Sequence, residues 1–186
     1  MSPGIKATVI GAAGNLFLAV IKFIGGVWGH STALVADAIH SLSDLLTDFV
    51  VLTTHQIGKK PADEDHPYGH GRAESLGAVA VGGAIIGAGL WIGYEVWQVI
   101  ESGVRLTPSF LAAAGAATSV LTKEGLYWYT RIIGERERSP AVIANAWHHR
   151  SDALSSIAAL IGILGALFGY PLMDPLAGGV VALMVI

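Results

Sequence analysis

Long apolar runs, separated by short polar connections, constrain this chain more than any other feature. A helix crosses the hydrocarbon core of a bilayer in about 20 apolar residues. Every backbone polar group must be satisfied inside that core, so helices are the simplest spanning element. Only 13% of the residues are charged, against about 25% in soluble domains. The 186 residues have room for about six spans. The expectation is an all-α, polytopic membrane protein with spans over roughly 7–28, 32–57, 73–100, 108–133, 141–168 and 172–186. The last run stops short of a full span, so the natural chain is expected to continue beyond it. The first run carries Lys6 ahead of it and is followed by further spans, which marks it as retained rather than cleaved. A net charge of −3 gives no reason to expect nucleic acid, and the lack of cysteine excludes disulfides and thiolate metal sites.

Inside these runs sit ionisable residues that lipid does not tolerate, and such residues mark paths for substrate or protons. His40 and Asp44 lie in the second span; His148 and Asp152 lie in the fifth. In each pair the acid follows four residues after the histidine, which puts both side chains on one helix face, one turn apart. Two such pairs on facing helices supply two imidazoles and two carboxylates, a set suited to a tetrahedral divalent ion, zinc above all. A single histidine in a span reads more simply as polar glue between helices. Repetition of the pattern in two spans favours the metal site. Imidazole and carboxylate bind metal only after losing protons, and histidine titrates in the physiological range. One ligand set can therefore exchange a dication for protons.

Other polar residues in the spans are less directional. Asp37 and Asp48 lie near the same stripe as His40 and Asp44, lining an entry path or making helix contacts. Asn15, Lys22, Lys123 and Glu124 interrupt the first and fourth spans, and Lys22 can snorkel or pair with a carboxylate. His149 points about 100° away from His148, and His148 is preferred because it has the acid one turn on. Arg150 projects away from the pair, toward a carboxylate or the membrane surface. The loop between the second and third spans holds Asp63, His66 and His70, either a small metal site or a solvated acidic loop. His30 and His55 have no partner at useful spacing and read as structural or surface residues. Gly83, Gly87, Gly89 and Gly93 in the third span allow close helix approach within one bundle or between subunits. Trp91, Tyr94 and Trp97 suggest an interfacial belt. Lys6, Lys59, Lys60, Arg72, Arg131, Arg136 and Arg138 fall on one side and only Arg105 on the other. That asymmetry places both termini in the cytoplasm.

The paired histidine and aspartate motifs, with the segment Pro61-Ala62-Asp63-Glu64-Asp65-His66-Pro67-Tyr68-Gly69-His70-Gly71-Arg72-Ala73-Glu74 after the second span, resemble the cation diffusion facilitators. The resemblance covers essentially the whole chain. It implies a six-helix membrane domain, normally followed by a cytoplasmic metal-binding domain that these 186 residues do not include. It implies a homodimer in the inner, or plasma, membrane that exports zinc or a related dication in exchange for protons by alternating access. His40, Asp44, His148 and Asp152 would form the transport site, and Asp63, His66 and His70 an accessory loop site. Arg72 matches a basic residue that in relatives ties the membrane domain to the cytoplasmic domain or the partner. Histidine at position 40 resembles the zinc-type members; iron and manganese types tend to differ there. A passive channel, a structural subunit and an intramembrane metalloprotease are the rivals. The protease lacks its HExxH motif and would need an open ligand position, so no catalytic residue is expected.

Overall fold

The computed structural model describes residues 3–103 and 107–185, which leaves Arg105 outside the described residues. Six helices follow one another: α1 (Pro3–Trp28), α2 (Thr32–Gly58), α3 (Arg72–Glu101), α4 (Phe110–Glu137), α5 (Pro140–Leu167) and α6 (Met173–Val185). There is no strand among the described residues, so the all-α expectation holds. Three segments are long and apolar enough to cross a membrane: Lys6–Trp28 in α1, and the whole of α3 and α5. Helices α2 and α4 are as long, with 27 and 28 residues, but they carry much of the polar equipment.

Local chemistry sets the turns. Ser31 caps α2 by accepting from the Leu34 amide at 3.1 Å, which satisfies one of the free N–H groups of the first turn. Ser139 caps α5 in the same way through the Val142 amide, and Pro140 follows where its missing N–H costs nothing. Arg138, in the left-handed region at φ 51°, lets α4 stop and α5 begin within two residues.

Long-range contacts fix which ends meet. The Gly4 amide donates to Glu137 Oε2 at 3.0 Å, which joins the start of α1 to the end of α4. At the opposite end, the Ser109 amide donates to the Gly29 carbonyl at 2.8 Å. Asp174 accepts from Ser31 Oγ at 2.6 Å and from the Thr32 amide at 2.7 Å, which locks α6 onto the start of α2. Helix α2 touches every other helix. The loop after α2 and the turn after α4 consequently share an end with the start of α1.

Helix α3 stands at the margin. Gly83, Gly87 and Gly93 have nothing within 4 Å of a built Cβ, while Gly89 is buried. The expected close approach at these glycines is therefore not made within this chain, apart from Gly89. Trp91, Tyr94 and Trp97 are exposed near the end of the helix.

A close glycine contact lies elsewhere. A Cβ on Gly162 of α5 would lie 2.3 Å from Ala177 Cβ and 2.8 Å from the Met173 carbonyl of α6. Gly162→Val is expected to cost about 1–3 kcal/mol through overpacking. Gly125→Ala, at a position open to space, should stay within about 0.5 kcal/mol of the parent. Thermal unfolding in detergent checks both; equal stability of the two variants would contradict this packing.

Candidate metal centre

Gly11, Asn15, Leu18, Lys22 and Gly25 repeat at alternating four- and three-residue steps along α1, Gly29 continues the pattern just past its end, and all six are buried. That period makes one face of a helix. The face is unusual because two of its members are polar, and each meets a partner.

Lys22 Nζ lies 2.8 Å from Asp37 Oδ2 on α2 and 3.0 Å from Ser41 Oγ, with both members of the ion pair fully buried. Asp37 also meets Ser155 Oγ at 2.8 Å and Ser156 Oγ at 2.7 Å on α5. Ser119 of α4 reaches Ser156 at 3.0 Å. Four helices are thereby joined through one carboxylate. Both oxygens of Asp37 are engaged by protein donors, so it serves as a fastener between helices. A lone buried charge costs several kcal/mol, and pairing with further hydrogen bonds offsets that cost.

The second polar residue, Asn15, accepts from Lys123 Nζ of α4 at 2.8 Å. The same ammonium is ion-paired with Asp152 Oδ2 of α5, again with both side chains buried. The other oxygen of Asp152, Oδ1, lies 3.8 Å from His148 Nδ1.

His40, Asp44 and Asp152 each offer a ligand atom, and these atoms lie within 4.8 Å of one another. His40 Nε2 is 3.9 Å from Asp44 Oδ2, too long for a hydrogen bond. Asp44 Oδ2 is buried with no hydrogen-bond partner. A carboxylate oxygen without a donor, in a pocket of acceptors, is the condition that a cation relieves. His148 Nδ1 stands 3.8 Å from Asp152 Oδ1, but its side chain is 43% exposed, against 3% for Asp152. Three of the four predicted residues thus converge, and the fourth borders them from the more open side.

Its neighbour His149 is 1% exposed, on the buried face of α5. Its Nε2 lies 2.7 Å from where a Cβ on Gly11 would stand. Neither ring nitrogen has a hydrogen-bond partner. Arg150 turns away as expected, stacking 4.5 Å over Tyr127 and lying 3.6 Å from Glu124. Asp48 is exposed. His55 does have a partner, Glu74 Oε1 at 2.8 Å, which ties α2 to α3.

The loop residues also converge: ligand atoms of Asp63, His66 and His70 lie within 4.8 Å of one another. Asp63 Oδ1 accepts from the His66 amide at 2.7 Å and sits 3.2 Å from its Nδ1. His70 Nδ1 lies 3.3 Å from the Pro61 carbonyl, which accepts only if that nitrogen carries the proton. The other nitrogen, Nε2, then presents a lone pair toward Asp63 Oδ2 at 3.5 Å. Two acceptors facing each other call for a proton or a metal between them.

Two features of the centre escaped the sequence reading, the pairing of Lys22 with Asp37 and of Lys123 with Asp152. The signal was present, since a lysine deep in an apolar span needs a carboxylate. Nothing in the spacing said which one.

Residues 8–186 match the family of the cation efflux transmembrane domain. The chain is 39% identical over 203 residues to metal tolerance protein 2 of Oryza sativa subsp. japonica, covering 95% of this chain and 52% of that one. Magnetosome protein MamB of Magnetospira sp. is 39% identical over 92% of this chain and 58% of its own length. Mitochondrial metal transporter 2 of Saccharomyces cerevisiae is 34% identical over 100% of this chain and 43% of its own. The chain therefore spans about half the length of the curated relatives it matches.

The amide of His66, followed by contacts to the two histidine rings, holds the Asp63 carboxyl below the ordinary value of 3.8. A depressed acid contributes above its unfolded value and stops contributing as pH falls through the folded one. The Asp63–His66 turn should therefore persist at that ordinary value and open only at lower pH. The NMR shift of the His66 amide reports it, and a midpoint at or above 3.8 would contradict the turn.

Proposed function

The chain belongs to the cation efflux, or cation diffusion facilitator, family, and we propose that it forms the membrane part of a divalent-cation exporter. The transported ion is zinc, exchanged for protons by alternating access. The observation that carries this reading is the convergence of His40, Asp44 and Asp152 ligand atoms within 4.8 Å, with one Asp44 oxygen left without a donor. His148 completes the set by a short movement from its more exposed position beside Asp152.

Two imidazoles and two carboxylates give a charge and geometry that suit zinc. Other first-row dications bind such sites as well, and the relatives' names, two of which speak of metal and none of zinc, leave the ion to experiment. Proton coupling follows from the ligands: the ion enters as they lose protons and leaves as they regain them. Four protein ligands around the ion leave no open position for hydrolytic water, which argues against an enzyme.

Asp63, His66 and His70 would hold a second ion at the loop. The shared end of the α1 start, the α2–α3 loop and the α4–α5 turn carries the basic residues and faces the cytoplasm of the plasma membrane. The open glycine face of α3, including Gly83, Gly87 and Gly93, supports a second copy packing there as a homodimer. Arg72 opens α3 at the cytoplasmic end.

Asp44→Ala in reconstituted vesicles is expected to drop zinc uptake to background and to abolish the proton release that accompanies metal addition. Unchanged uptake by this variant would reject the site.

A further inference from the structure

The ion pair of Lys123 and Asp152 is placed where a stabilising contact is least expected, on a carboxylate that the transport reading needs for metal. We infer that Lys123 is a tethered cation: it holds Asp152 while the site is empty and yields it to the arriving dication. This inference rests on the transport site proposed above.

The geometry supports an exchange rather than a fixed clamp. Lys123 Nζ has two partners, Asp152 Oδ2 on α5 and Asn15 Oδ1 at 2.8 Å on α1. When the dication takes Asp152, the ammonium keeps Asn15 as an anchor and stays in place. Helix α4 is otherwise absent from the proposed ligand set, so it senses the ion only through this side chain. The other buried lysine differs. Lys22 is neutralised by Asp37, which is itself held by Ser155 and Ser156.

Charge decides what such a residue does. Asp44 and Asp152 would give the ligand set two negative charges, and Lys123 leaves it with one. In a low-dielectric interior that difference is large. An empty site with two unpaired carboxylates would bind a dication too tightly to release it, and turnover requires leaving as well as entering. The ammonium also sets a threshold. A monovalent ion brings no more charge than Lys123 already supplies, whereas a dication brings twice as much. Lys123 thus acts as a positioning residue that loosens binding and favours divalent ions.

Zinc affinity, by competition with a fluorescent chelator, and zinc uptake into vesicles test this at about pH 8, where protons compete least with imidazole ligands. Lys123→Gln is expected to bind zinc roughly tenfold or more tightly and to show slower uptake at saturating zinc. Lys123→Arg keeps the charge and should return affinity to near the parent value. Because a neutral residue in this position can impair folding, Asn15→Asp supplies an independent arm. It gives Lys123 a carboxylate of its own, frees Asp152, and should also tighten zinc binding. A merely structural lysine predicts weaker or unchanged binding in both variants, and that result overturns the role of Lys123 provided Asp44→Ala still removes one of the bound ions and leaves only the loop ion, which Asp63→Ala removes in turn. An unchanged number of bound ions in Asp44→Ala overturns the transport site itself and the inference with it.

Discussion

Two lysine–aspartate pairs buried between apolar helices are the constraint on which the rest of this structure depends. A bilayer offers no water to solvate a stray charge, so each ammonium must find its carboxylate inside the bundle. Lys22 reaches Asp37, and Lys123 reaches Asp152. The first pair, with its serines, engages α1, α2, α4 and α5; the second engages α1, α4 and α5. These helices cannot slide or rotate freely without separating a pair. Breaking a buried pair by removing one partner costs about 3–5 kcal/mol, far more than any single apolar contact between helices surrounded by lipid.

The pairs also sort the aspartates into two kinds. Asp37 is enclosed by Lys22, Ser155 and Ser156, which engage both of its oxygens. Asp44 lacks a donor on one buried oxygen, and Asp152 shares itself between Lys123 and the histidine side. Three carboxylates of the same chemistry, two of them on one helix, are therefore not interchangeable. What separates them is the company each keeps across the helix interface.

The helical architecture was legible because its signal is coarse. Apolar runs of membrane length, separated by short polar connections, mark elements by local chemistry alone. The metal-ligating pairs were legible because four-residue spacing is a property of one helix. The lysine partnerships were not, because a partnership between helices depends on rotation and depth, and the sequence of one helix states neither. The same reason separates His148 from His149. Spacing prefers His148, since Asp152 follows it by one turn. Packing buries His149, since Gly11 on α1 leaves room for its ring.

That difference bears on how α5 works. The helix presents one histidine to the ligand cluster from its open flank and keeps the next against α1, with both ring nitrogens unpartnered. An unpartnered buried imidazole is a cost that tight packing alone does not repay. A small turn of α5 about its axis, or a water reaching the ring from the Gly11 side, would relieve it. The turn would carry Asp152 with it, and Asp152 is the residue held by Lys123. Movement of α5, the grip of the ammonium and access to the ligand cluster are thus one mechanical problem, because a single carboxylate lies at the intersection of all three.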